Sequence, residues 1–190
     1  MDPTIKYCFL SCKSQPADSL KQGLIIDPAI EQKVTRLYNK GDITEASRFD
    51  VEIFENDRQK SVTPLSGKSV PHYAVRNLNG DSLVIVFTNM TGVGFGMAIT
   101  VTSDICKVQH VVSSRGDDRI FKTNPDNIYK RGLTVPGKFY LILNKRKPGS
   151  RDERTYGYVE YSSDEYYEKT EGGDVKRRVK YKGYFEVSGL

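Results

Sequence analysis

Two histidines, three cysteines and a scatter of carboxylates are the side chains of this chain that suit acid–base or nucleophilic chemistry. A Ser–His or Cys–His nucleophile needs its base within hydrogen-bond reach, and no motif places His72 or His110 in that way. Cys106 and His110 alternate onto the same strand face, but four residues of strand hold them about 13 Å apart. Both therefore read as packing residues. Paired carboxylates hydrolyse glycosides. Glu160, Asp164, Glu165 and Glu168 form the densest acidic group, although such residues near a hairpin end are ordinarily just solvated. The pattern closest to a binding site is the interleaving of Tyr with Lys and Arg near the C-terminus. If Tyr156, Tyr158 and Tyr184 share one sheet face with Lys180 and Lys182, their rings can stack on sugars or bases. The alternative is that they pack under a loop or against a helix.

Four further signals are weaker. Thr91-Gly92-Val93-Gly94-Phe95-Gly96 has the composition of a phosphate-binding loop, which requires a helix N-terminus directly behind it. Met97-Ala98-Ile99-Thr100-Val101-Thr102 follows instead and reads as a strand, so the glycines suggest a bulge or bend. Arg115-Gly116-Asp117 resembles an integrin-binding triplet but reads as a turn. Asp117, Asp118, Asn124, Asp126 and Asn127 offer oxygens in no EF-hand spacing. Cys8 and Cys12 have a metal-like spacing without a second ligand pair. The expectation is no metal and no cofactor.

The elements that would position these residues are mostly strands. Asp27 suits an N-cap and Pro28 the first helical position, and Ile30, Val34, Leu37 and Tyr38 form one apolar stripe. This predicts a helix over about 28–40, closed at Asn39-Lys40-Gly41, with a short second helical turn over 42–47. From Phe49 the period becomes two: Phe49, Val51 and Ile53 alternate with Asp50 and Glu52, and Phe54 marks a bulge or an end. Ser61 to Lys68 reads as a loop. Residues 72–78 and 81–88 flank Asn79-Gly80, which suits a type I′ turn and predicts a tight hairpin. Leu83 to Phe87 and Lys138 to Asn144 are apolar on both faces, as in central strands covered on both sides. Residues 105–112 and 154–161 read as strands, the latter continuing with a break through 165–168. Glu171-Gly172-Gly173-Asp174 turns the chain into the last strand. There Val175, Val179, Tyr181, Phe185 and Val187 face a core, while Lys176, Arg178, Lys180 and Lys182 face water. Two layers follow. The expected fold is mainly β, an antiparallel two-layer β-sandwich or open barrel with one or two short N-terminal helices packed on it.

Composition agrees. A chain of 190 residues with 37% hydrophobic and 28% charged residues fits one domain with an N-terminal extension. The absence of Trp and the 12 Tyr lean toward strands. A net charge of +5 arises from 29 basic against 24 acidic residues interspersed along the chain, which argues against nucleic acid as the partner. An odd cysteine count is no disulfide framework, and no stretch approaches the roughly 20 apolar residues of a spanning helix.

Phe9-Leu10-Ser11-Cys12, followed abruptly by polar residues 13–19, resembles the lipobox of bacterial lipoproteins. Ser11 would be the small residue before cleavage and Cys12 the acylated one. Phe9 stands where the family has an aliphatic residue, and the apolar run 5–10 contains Lys6. With a β-rich domain after a polar tether, the organisation looks like that of small Bacteroidetes lipoproteins. The resemblance implies a tether over 1–20, a single domain over 21–190, a membrane anchor at Cys12 and a location in the periplasm or at the cell surface. It carries no enzymatic activity with it. The leading expectation is a non-catalytic cell-envelope lipoprotein domain binding a protein or glycan. The alternatives are a soluble, cytoplasmic interaction or immunity-type inhibitor protein, and a carboxylate-dependent glycoside hydrolase.

Overall fold

The computed structural model describes residues 23–39, 47–66, 75–79, 82–89, 93–114, 120–146 and 153–187. The lipobox-like stretch with Cys8 and Cys12, His72, the Arg115-Gly116-Asp117 triplet and Asp118 lie outside them. Two β-sheets face each other across one apolar core, a β-sandwich with a single helix among the described residues. The first sheet is built from β1 (Gly23–Ile26), β2 (Ser47–Glu55), β3 (Arg58–Ser66), β8 (Phe121–Lys122), β10 (Gly137–Leu143), β11 (Thr155–Ser163), β12 (Tyr166–Thr170) and β13 (Gly173–Val187). The second, in the order β4-β5-β6-β7-β9, is built from β4 (Val75–Asn79), β5 (Ser82–Asn89), β6 (Val93–Val101), β7 (Cys106–Ser114) and β9 (Gly132–Val135). Pairing is antiparallel except between β1 and β10.

The long strand β13 organises the first sheet. β11 and β12 run end to end along one of its edges and β2 runs along the other. Alternation then assigns faces: Val179, Tyr181, Phe185 and Val187 are buried between the sheets, while Lys180 and Lys182 are exposed on the outside. Helix α1 (Ala29–Asn39) lies on that outer side against β11 and β13. Asp27 caps it through Oδ1, which accepts from the Ala29 amide at 2.9 Å. Ile30 and Val34 are buried, as the stripe requires.

Closure of the sandwich rests on aromatic rings seated over glycines. Phe87 of the second sheet packs edge-on between Phe49 and Phe185 of the first, at centroid distances of 4.8 and 5.2 Å. The Phe185 ring occupies the space a Cβ on its cross-strand partner Gly157 would need, and Phe49 does the same at Gly183. At Gly183 a Cβ would also stand 1.9 Å from the Arg48 carbonyl oxygen.

A polar cluster makes the second connection between sheets. His110 on β7 is fully buried against Tyr161, Tyr166 and Tyr181 of the first sheet. Its backbone amide donates to the Tyr161 hydroxyl, which donates on to the Val135 carbonyl. Its Nδ1 lies 3.0 Å from the Gly96 carbonyl, which only accepts, so the ring proton sits on Nδ1. Nε2 is then a lone pair with no hydrogen-bond partner among the described residues. Burial lowers the pKa of His110 to about 4, against the smaller raising effect of the Gly96 hydrogen bond.

Several expectations need correction. Residues 61–66 are not loop but part of β3, reached from β2 through Asn56 and Asp57, whose φ values of 48° and 65° are those of a type I′ turn. Pro64 is accommodated because, among the described residues, β3 pairs with β2 alone, which leaves an edge for a residue without an amide. The irregularity expected at Phe54 is real, a register shift between Ile53 and Phe54. In the β4–β5 hairpin Asn79 pairs with Ser82, which puts the connection at 80–81 instead of 79–80. The register of β6 with β7 runs unbroken from Val93 to Val101, so Gly94 and Gly96 form no bulge there. Leu83, Ile85 and Phe87 are buried but Val84 and Val86 only half-buried, and Leu141 and Leu143 differ from Ile142 in the same way. These strands are covered fully on one face only. Ser47 already belongs to β2, and 42–46 lie outside the described residues.

Two predictions follow from this core. Gly183→Ala should destabilise at or above the upper end of the roughly 1–3 kcal/mol typical of overpacking. Gly172→Ala, whose Cβ meets nothing nearer than 3.9 Å, should change stability by less than about 0.5 kcal/mol. Equal effects in chemical denaturation would contradict the close-approach account. His110 has a folded pKa below its unfolded one, so the unfolded chain binds the extra proton. Its contribution to stability is therefore intact above pH 6.5, falls as pH drops toward 4 and levels off below, by about 3 kcal/mol in all. His110→Gln should lose this one-proton slope in denaturation midpoints measured across that range, whatever its absolute stability. A wild-type slope retained in the variant would remove His110 as the titrating group.

Candidate functional site

The outer face of the first sheet carries a groove of about 470 Å³, open to solvent along β10, β11, β13 and β2. A second hollow of about 250 Å³ adjoins it under helix α1, sharing Asp50 and Lys182 as walls. Sheet register arranges the floor in cross-strand rows, spaced by two residues or about 7 Å along the strands. One row is Lys138, Ser162, Lys180 and Glu52; the next is Tyr140, Glu160, Lys182 and Asp50. The third, Ile142, Tyr158, Tyr184 and Arg48, lies beneath the helix, where Leu37 completes the wall.

Opposite charges meet across the strands. Lys182 Nζ is 2.9 Å from Glu160 and Lys180 Nζ is 3.9 Å from Glu52. Lys176, further along β13, bonds Asp57 at 2.6 Å and Glu165 at 3.3 Å. Arg178 and Lys180 both lie over the Phe54 ring, at 4.9 and 5.0 Å from its centroid. The basic residues of β13 thus meet acids of β2 as well as of β11. Lys180 and Lys182 are largely exposed, so each pair contributes less than about 1 kcal/mol to stability. Its effect is on the position and charge of the groups.

The Glu160 carboxyl is held below its ordinary pKa by its neighbours. The Tyr158 hydroxyl donates to it and, with Lys182, lowers its pKa, while partial burial acts the other way. Burial first, and then this same bond, push the Tyr158 phenol up. Tyr158 and Tyr184 form an aromatic pair, centroids 4.7 Å apart and tilted by 44°, with Lys33 of the helix 5.0 Å from the Tyr184 ring. The helix is fixed there by the Asp27 amide, which donates to the Leu143 carbonyl. Asn144 adds to this, exchanging two backbone-directed bonds with Tyr156 and reaching Glu31 at 3.4 Å.

Of the five ligand-binding residues expected, Tyr158, Tyr184, Lys180 and Lys182 line these hollows. Tyr156 shares their face but lies one row beyond, opposite Glu186, and lines neither. Its neighbour Asn144 binds its backbone on both sides, which makes it a support for the helix. Asp50, Glu52, Arg48 and Lys138 were not singled out from sequence; the polar alternation of β2 was visible, but not its pairing with β13. The four carboxylates considered for hydrolysis occupy different environments. Glu160 lines the groove with a lowered pKa, the reverse of what a general acid needs. Glu168 is buried against Arg177, Glu165 is on Lys176, and Asp164 is exposed at the β11–β12 break, its pKa raised by partial burial. No group of three His, Cys, Asp or Glu side chains suited to a metal occurs among the described residues.

Comparison with known proteins found no matching family model, no matching curated protein and no matching solved structure. No helix among the described residues is long and apolar enough to cross a membrane.

The Tyr158 hydrogen bond, the largest single influence, and Lys182 both lower the Glu160 pKa. Tyr158→Phe and Lys182→Gln should therefore each raise it, followed by carboxyl-carbon NMR titration. A Glu160 pKa unchanged in Tyr158→Phe would mean that Lys182, and not the phenol, holds the carboxylate.

Proposed function

We propose that the chain is a non-catalytic binding domain of a bacterial cell envelope, lipid-anchored at Cys12, which takes a glycan or protein partner in the outer-face groove. The observation that carries the binding reading is the groove itself. It is a concave surface on four strands paired with one another across its floor, with two half-buried tyrosines at one end and rows of charged side chains at the other. Its polar groups are held in defined positions by cross-strand pairing, so a partner meets them with little further ordering cost. Glu160, its pKa lowered, is engaged by Tyr158 and Lys182, which suits recognition better than proton transfer. The anchor rests on the Phe9-Leu10-Ser11-Cys12 resemblance, with the polar residues 13–19 as its tether.

The anchor is tested by metabolic labelling with a fatty-acid analogue in a bacterium expressing the natural gene. Label is expected on the wild type and lost in Cys12→Ser; equal labelling, or none, sinks the anchor. The groove is tested by adding fractionated envelope glycans and peptides to isotope-labelled protein. Amide shifts are expected at 48–52, 158–162 and 180–184. Shifts confined to the second sheet would place the binding surface elsewhere.

A further inference from the structure

We infer that the groove's ligand is an acidic oligosaccharide, a chain of sugars bearing carboxylates, with one ring seated on Tyr184 and Tyr158 and its charge directed toward Lys180 and Arg178. This rests on the reading of the groove as a binding site and narrows it to one ligand class.

Charge is the first argument. The two hollows together are walled by five cationic side chains, Arg48, Lys138, Arg178, Lys180 and Lys182, against the three carboxylates Asp50, Glu52 and Glu160. The excess is not spread evenly. Glu160 is tied to Lys182 at 2.9 Å, whereas Glu52 is only at the outer limit of pairing with Lys180, 3.9 Å away. A ligand anion at Lys180 gains a cation whose pairing with Glu52 is already long.

The mixture of groups is the second argument. A peptide strand adds to a sheet edge, and this groove is a sheet face whose backbone is already paired. An amphipathic helix needs a row of apolar anchors, and among the described lining residues of the two hollows Leu37 is the one aliphatic side chain beside the tyrosines. A sugar ring presents an apolar C–H face beside a rim of hydroxyls. The tilted Tyr158–Tyr184 pair offers the ring surface, and Asp50 and Glu160 one row away offer acceptors for hydroxyls. Lys33, on the exposed side of the helix, lies over Tyr184 and has to swing aside or bond a hydroxyl itself.

The test titrates the full chain with short oligomers of galacturonate, glucuronate and mannuronate by calorimetry. Methyl-esterified forms of the same oligomers and oligoglutamate serve as controls. At least one uronate oligomer should bind saturably, and esterification should weaken it about tenfold or more, as loss of a charge-assisted contact would. Lys180→Gln and Tyr184→Ala should each weaken it by about tenfold, and added salt should weaken it further. Thermal melts check that both variants remain folded; Lys180→Gln, on an exposed side chain, stands as the test if Tyr184→Ala does not fold. Equal binding of the esterified oligomer, still sensitive to Tyr184→Ala, overturns the acidic class and leaves the groove as a neutral-glycan site. Oligoglutamate binding that depends on Lys180 but not on Tyr184 makes the ligand an acidic peptide and overturns the glycan. Absence of binding by every probe, or binding indifferent to both variants, overturns the inference; only amide shifts that also miss the groove overturn the reading beneath it.

Discussion

Successive side chains of a strand point to opposite faces, and on β13 that period of two is imposed on three other strands at once. Because β11, β12 and β2 all pair with it, its alternation is copied sideways into rows. Odd-numbered residues from Val179 to Val187 enter the core, while Lys180, Lys182 and Tyr184 form the floor of the groove. A slip of one residue in any of these pairings would put lysines in the core and Phe185 in water. The groove therefore shares its geometric basis with the stability of the fold, and its side chains are only as well placed as the core beneath them is tight.

That core is held in register by shape as much as by hydrophobicity. Gly157 and Gly183 leave room in the sheet for the rings of Phe185 and Phe49, and Phe87 closes onto both from the opposite sheet. A β-sandwich can otherwise slide along its interface, since apolar contacts have little direction. The contacts of Phe87 with Phe49 and Phe185 and the hydrogen bonds of His110 with Tyr181 and Tyr161 oppose that sliding. The cost is a buried imidazole that stays neutral, with one nitrogen unpartnered among the described residues.

Much of the local structure was legible from residue patterns because local physics sets it. The Asp27 cap, the Ile30 and Val34 stripe, the faces of β7 and β11 and the bulge at Phe54 depend on near neighbours in sequence. The β2–β3 hairpin was missed because Asn56-Asp57 is a less familiar type I′ pair than Asn-Gly, and Pro64 argues for a loop unless the strand is known to be an edge. The one-residue error in the β4–β5 connection has a related cause: pairing partners, and not the turn dipeptide alone, decide the register.

What the sequence determined by itself is the class of fold and which side chains of each strand share a face, since period-two alternation and the 3.6-residue stripe are properties of consecutive residues. It also picked out Tyr156, Tyr158, Tyr184, Lys180 and Lys182 as a set, because all five lie on the outer faces of two recognisable strands, and four of them line the hollows. Only the tertiary structure decided that β2 stands beside β13, bringing Asp50, Glu52 and Arg48 to the same groove, and that α1 closes its far end with Leu37. It also decided that Tyr156 belongs to the helix support and not to the groove. Strand order joins residues more than a hundred positions apart, and its energy comes from the fit of whole faces. No local pattern encodes that fit.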